Sequence, residues 1–212
     1  MTKLLSPKAP NLPMSPLLPD RRYLDDLTNA QRLYFNQLDA VNTAVLGPRG
    51  GKWLDFPYAA IQRTTDKTFT ANTVTQITFD TNDFLNGCTN DGTDGIHVEQ
   101  SGIYNYQCSV QLKNTDTQIH TAWIWLRNNN VDVPGTASKF DVISSHGGID
   151  GFVIAACNFY VQAEAGDTVE MWAAVNNVAV TFDASPAQTV PFAHPSIPSV
   201  VATLSFVSNV PA

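Results

Sequence analysis

The chain has 212 residues, 43% of them hydrophobic and only 15% charged, with a formal net charge of -7. This length allows one domain with appendages or two small domains, and an acidic balance without any Lys/Arg run argues against a phosphate-neutralising nucleic-acid surface. The opening MTKLLSPKAP has no apolar signal core and no apolar run is long enough to span a bilayer, so no membrane insertion is expected, and folding in a cytoplasm is.

Prolines recur at every third residue from Pro7 through Pro10, Pro13, Pro16 and Pro19. Polyproline II has three residues per turn, so the rings fall on one edge of an extended ribbon roughly 40 Å long. Such a ribbon lacks internal hydrogen bonds, and its natural use is to lie along another surface. Residues 1–19 are therefore expected to be an anchoring arm, with Leu12, Met14, Leu17 and Leu18 adding apolar contacts to those of the prolines.

Residues 20–48 read as an amphipathic helix. Asp20 to Leu46 lacks proline and glycine, and Leu24, Leu27, Gln31, Tyr34, Leu38, Val41 and Val45 alternate steps of three and four, a heptad seam. Gly47-Pro48 ends it. The seam fits either packing on a neighbouring surface or a self-associating bundle in which Leu27, Tyr34 and Leu38 meet other copies.

A hinge at Arg49-Gly50-Gly51 opens a linker and first strand over residues 49–66, and residues 67–212 form a β domain. The clearest strand is Tyr104 to Leu112, where Tyr104, Tyr106, Cys108, Val110 and Leu112 alternate with Asn105, Gln107, Ser109 and Gln111. That period of two marks one dry face and one wet face. Leu54–Ile61, Thr68–Phe79, Ile119–Arg127, Phe152–Val161, Thr168–Val175 and Val200–Val207 are further strands. Turns are expected at Asn90-Asp91-Gly92, Asn128-Asn129-Asn130 and Ala165-Gly166-Asp167. Strands without intervening helices mean an all-β antiparallel sandwich or barrel.

Two strands are apolar on both faces. Trp123 and Trp125 oppose Ile124 and Leu126, and Phe152 and Ile154 oppose Val153, Ala155, Cys157 and Phe159. One face of each meets the second sheet, and the other needs a loop, the arm or another subunit. Another subunit is the expectation for at least one of them, which puts Trp123, Trp125, Ile154 and Phe159 at an interface.

The run Gly102-Ile103-Tyr104-Asn105-Tyr106 resembles the Gly-x-Tyr lead-in to a central strand of the tumour-necrosis-factor and complement globular-head jelly rolls. Trp125-Leu126-Arg127-Asn128-Asn129 is similar to that family's strand ending in a basic-Asn turn, and Ala165-Gly166-Asp167-Thr168-Val169-Glu170 to its Gly-Asp-x-Val step. The family's aromatic-rich final motif is absent, with Pro195-Ser196-Ile197-Pro198 in its place. The resemblance covers residues 95 to 207 and implies a jelly roll that assembles as a homotrimer. Upstream, the proline-rich start, Asn29-Ala30-Gln31-Arg32-Leu33-Tyr34-Phe35-Asn36-Gln37-Leu38-Asp39 and Leu54-Asp55-Phe56-Pro57-Tyr58 resemble small virion structural proteins of tailed bacteriophages. In those proteins an N-terminal segment docks on the particle and a jelly-roll knob points outward.

No residues assemble into a catalytic or cofactor-binding motif. His97, His120, His146 and His194 lack partners at metal-ligand spacing, and Ser144-Ser145-His146-Gly147-Gly148 lacks a nucleophile elbow. Asn90-Asp91-Gly92-Thr93-Asp94-Gly95 has carboxylates on a tight loop, but the bidentate Glu position of a twelve-residue calcium loop falls on Ser101. A polar turn is the simpler account. Cys88, Cys108 and Cys157 are expected as reduced thiols. Trp53, Trp123, Trp125 and Trp172 suit core or interface packing, with a sugar-binding groove as the alternative. The expectation is a non-enzymatic, cofactor-free virion protein: a trimeric capsid decoration protein whose arm binds the major capsid protein or another virion protein. Alternatives are a short fibre or tail-tip adhesin whose knob binds a host-surface glycan, and a free recognition module of the complement-head type.

Overall fold

The computed structural model describes residues 11–12, 20–46 and 56–210, in two units, Met1–Asp55 and Phe56–Ala212. Pro7, Pro10, Pro13, Met14, Pro16, Leu17, Leu18, Pro19 and the hinge at Arg49 to Gly51 lie outside the described residues. Of the arm, Asn11 and Leu12 are described, and both are exposed.

In the first unit, helix α1 spans Arg21–Leu46. Asp20 caps it: its Oδ1 accepts the Tyr23 N–H at 2.8 Å, satisfying one of the orphan donors of the first turn. The half-buried positions are Tyr23, Leu27, Ala30, Tyr34, Leu38 and Val41. Their spacing averages the 3.6 residues of a straight helix, where the expected seam follows 3.5. Leu27, Tyr34, Leu38 and Val41 keep their places on the stripe, while Leu24 and Gln31 rotate off it and are exposed.

The second unit contains β1 (Tyr58–Arg63), β2 (Thr75–Ile77), β3 (Thr81–Asn86), β4 (Cys88–Thr89), β5 (Ile96–Val98), β6 (Gly102–Asn114), β7 (His120–Asn128), β8 (Val131–Asp132), β9 (Ser138–Val142), β10 (Gly151–Ala163), β11 (Thr168–Val175), β12 (Val180–Phe182) and β13 (Val200–Ser208). The first sheet runs β10-β6-β13-β1-β3, with β12 also on β6; the second runs β4-β5-β11-β7, with β8 and β9 on β7 and β2 on β11. Every pairing is antiparallel. Take the principal strands β1, β5, β6, β7, β9, β10, β11 and β13 as first to eighth. The sheets then run first-eighth-third-sixth and second-seventh-fourth-fifth, the order of a jelly roll. The second unit is therefore an all-β antiparallel jelly-roll sandwich, preceded in the chain by helix α1.

The core follows the alternation in the sequence. Tyr104, Tyr106, Cys108, Val110 and Leu112 of β6 face Ile124 and Leu126 of β7 and Met171 and Ala173 of β11 within one buried cluster. Asn129 and Asn130 take positive φ of 49° and 64° in the tight turn between β7 and β8, a conformation Asn tolerates better than other side chains. The Asp167 carboxylate accepts the Glu164 N–H at 2.9 Å and the side-chain amides of Asn128 and Asn129 at 2.8 and 2.7 Å. It thus ties the turn after β10 to the turn after β7.

The expected strand over Thr68–Phe79 is interrupted. Asn72, at φ 58°, makes a turn whose N–H donates to the Val175 carbonyl at 2.7 Å, and only Thr75–Ile77 pairs with β11. Phe69, Ile77 and Phe79 still reach the core, which explains the apolar pattern without a continuous strand. The first strand begins at Tyr58; Leu54 and Asp55 lie outside the described residues.

Candidate functional site

Two outward faces of the sandwich carry the features that call for a partner. On the first sheet, one rung crosses four strands as Tyr58, Ser205, Asn105 and Tyr160, and the next as Ala60, Thr203, Gln107 and Asn158. Small and polar side chains fill the middle of this face and line a shallow hollow of about 380 Å³ between Gln107, Ser109, Ala156 and Thr203. The apolar residues stand at its two margins. Phe152, Ile154 and Tyr160 of β10 are 51%, 64% and 67% exposed, while Tyr58 of β1 and Phe84 of β3 mark the opposite margin. β10 is also an edge strand thirteen residues long. Among the described residues no strand pairs with its free side, which leaves a long row of backbone donors and acceptors available.

The outward face of the second sheet holds Trp123, Trp125 and Arg127 of β7 opposite Ala174, Trp172 and Glu170 of β11. The loop after β8 folds over this face. With Trp123, Trp125, Asp132 and Ala174, its Pro134 and Ala137 line a mostly apolar groove of about 440 Å³. Asp132 Oδ1 accepts the indole N–H of Trp125 at 2.8 Å and the Arg127 Nε–H at 2.6 Å. The Arg127 and Trp125 bonds hold the Asp132 carboxyl below the usual carboxylate range. The Arg127 guanidinium carbon lies 4.1 Å from the centre of the Trp172 ring, and the Trp172 indole N–H donates to Glu170 Oε2 at 2.7 Å.

The residues expected at an interface are thus distributed over different surfaces. Ile154 is outward and exposed. Phe159 points inward and packs half-buried against the core, and Trp123 and Trp125 are half-buried beside the groove on the second sheet. Leu27, Tyr34 and Leu38 lie on the helical unit. Tyr58, Phe84 and Tyr160 were missed because no single strand shows that they share a face; that depends on sheet order.

Asp91, Asp94 and His97 bring potential ligand atoms within 4.8 Å of one another, on the loop where the sequence placed its best cation candidate. These donors already have protein partners. His97 Nε2 is 3.0 Å from Asp94 Oδ1 and its Nδ1 is 2.8 Å from the Thr168 hydroxyl, and Asp91 Oδ1 accepts the Thr93 N–H and hydroxyl at 2.9 and 2.6 Å. Cys88, Cys108 and Cys157 are free thiols.

The strand order defines a jelly-roll module with two outward faces. No family description and no curated protein matches the chain in sequence. Among solved structures, the chain is similar to Eiger TNF from S. frugiperda at 13% identity and a TM-score of 0.45, over 75% of this chain and 97% of that one.

Proposed function

We propose that this chain is a structural protein of a tailed-phage particle: a self-associating jelly-roll knob, a homotrimer, fastened by its proline-rich N-terminal segment as a capsid decoration protein. The observation that carries the self-association is the outward face of the first sheet. Its apolar margins differ, with Phe152, Ile154 and Tyr160 on one side and Tyr58 and Phe84 on the other. Unlike margins on one face favour head-to-tail contacts, which close into a ring when the rotation permits. Three copies in a ring would cover both margins and the free edge of β10. Three tethered arms would then bind a shared scaffold at high effective concentration, multiplying individually weak contacts. The resemblance of the N-terminal segment to virion proteins supports the particle address, and no catalytic role is part of the proposal.

Light scattering on the purified full chain tests the association. The expected mass is three times the 23.1 kDa of one chain; a stable single-chain mass at micromolar concentration would overturn the assignment. Deletion of residues 1–19 tests the attachment: the trimer should persist while labelled protein no longer decorates particles. Decoration at undiminished density would remove the arm's role. The groove beside Trp123 favours a second reading, a fibre-tip adhesin, which copy number per particle separates from decoration.

A further inference from the structure

We propose that the groove lined by Trp123, Trp125, Asp132, Pro134, Ala137 and Ala174 binds a neutral pyranose sugar. It stands on this groove alone and holds whether or not the chain belongs to a particle.

The size is right: about 440 Å³ lies within the range of small-ligand sites, which are mostly apolar with a few convergent polar groups. The two indoles sit two residues apart on one face of β7, so their anchor points are roughly 7 Å apart along the strand. That extended apolar platform suits the flat C–H face of a sugar ring, whose electropositive hydrogens are attracted to indole π-electrons. Ala174 stands directly opposite Trp123 across the β7–β11 ladder, and its small side chain leaves the floor open.

The polar group is equally selective. Asp132 Oδ1 is occupied by Trp125 and Arg127, while Oδ2 has no protein donor among the described residues. It is free to accept a hydroxyl of a ligand resting on the platform. Arg127 already neutralises the carboxylate at 2.6 Å, so a cationic ligand gains little by approaching it. Acidic sugars meet a carboxylate within a chain of net charge -7. A neutral polyol with one flat apolar face fits what remains.

The position also fits. The groove opens on the outward face of the second sheet, opposite the exposed face of the first. Copies meeting through the first sheet would leave it open.

The test uses the full chain and saturation-transfer NMR with the methyl glycosides of glucose, mannose, galactose and N-acetylglucosamine. Methyl glucuronide and choline serve as the anionic and cationic competitors. At least one neutral glycoside should receive saturation on its ring C–H protons and quench tryptophan fluorescence. Ala174→Leu, which fills the floor without removing a polar partner, should abolish both signals. Asp132→Asn should weaken binding about tenfold, as for loss of a hydrogen bond to a charged group. The proposal is overturned if all four neutral glycosides are silent at millimolar concentration, if choline or the glucuronide binds in preference, or if a folded Ala174→Leu variant binds as the parent does.

Discussion

Cys108 and Cys157 occupy a single rung of the β6–β10 ladder and point into the core from the same face of the sheet. The neighbouring Cys108 thiol lowers Cys157, while the same neighbour and burial raise Cys108. Directly opposed residues of an antiparallel pair have Cα atoms about 4.5–5.5 Å apart, inside the range a disulfide spans. Mild oxidation with diamide, which takes up the two electrons and two protons released as the S–S bond forms, should therefore close this pair intramolecularly. Thiol titration in denaturant should fall from three groups to one, and peptide mapping should leave Cys88 as the free cysteine. Three titratable thiols after prolonged oxidation would show that the pair does not meet.

The sheet containing this pair was the most legible part of the fold. Strict alternation over Tyr104–Leu112 announces β6 because inward residues are uniformly apolar and outward ones uniformly polar. β3 gave no comparable signal. Its Thr81-Asn82-Asp83 start is an edge exposed to water, and only pairing with β1 makes it a strand. The candidate sites were half legible for the same reason. Trp123, Trp125 and Ile154 stand out as apolar residues on second faces, but whether a loop covers them depends on distant segments. The β8–β9 loop reaches the tryptophans and leaves Ile154 bare. The opposition of Ala174 to Trp123 is a matter of register, which no local pattern encodes.

The two outward faces should separate cleanly by mutation. Ile154 is 64% exposed, so Ile154→Asp should leave a single copy's stability within about 0.5 kcal/mol while placing a charge on the proposed contact. Combined with Tyr160→Asp, it should reduce the light-scattering mass to that of one chain. Trp123→Ala, on the other sheet, should leave the assembly intact. A trimer that survives the double substitution, or dissolves on Trp123→Ala, would relocate the contact.

Tyr106 is fully buried, and its hydroxyl has no hydrogen-bond partner among the described residues. Burial pushes this phenol well above its ordinary value, so it stays neutral but still forgoes the hydrogen bond water would give it. Tyr106→Phe removes the unsatisfied group and keeps the ring, and denaturant titration should show a gain of about 1 kcal/mol. Leu112→Ala in the same strand should instead cost about 2–5 kcal/mol, since it opens a cavity. Destabilisation by Tyr106→Phe comparable to that of Leu112→Ala would mean the hydroxyl has a partner in solution.

Asp167 supplies the sign of a pH dependence. The backbone N–H of Glu164, helped by the amides of Asn128 and Asn129 against a smaller opposing effect of burial, holds its carboxyl below the ordinary value. A folded pKa below the unfolded one means the carboxylate stabilises the fold fully above the unfolded value of about 4. That contribution is lost as pH falls through the lower folded value, because protonation removes the acceptor these three donors share. Urea midpoints measured from pH 7 to pH 3 should therefore decline, and Asp167→Asn should start lower and decline less. Asn can accept at one oxygen only, and its amide meets the donors that the second carboxylate oxygen satisfied. Parallel curves for the two proteins would assign the acid sensitivity to other carboxylates, and identical midpoints at pH 7 would show that the two turns hold together without this bridge.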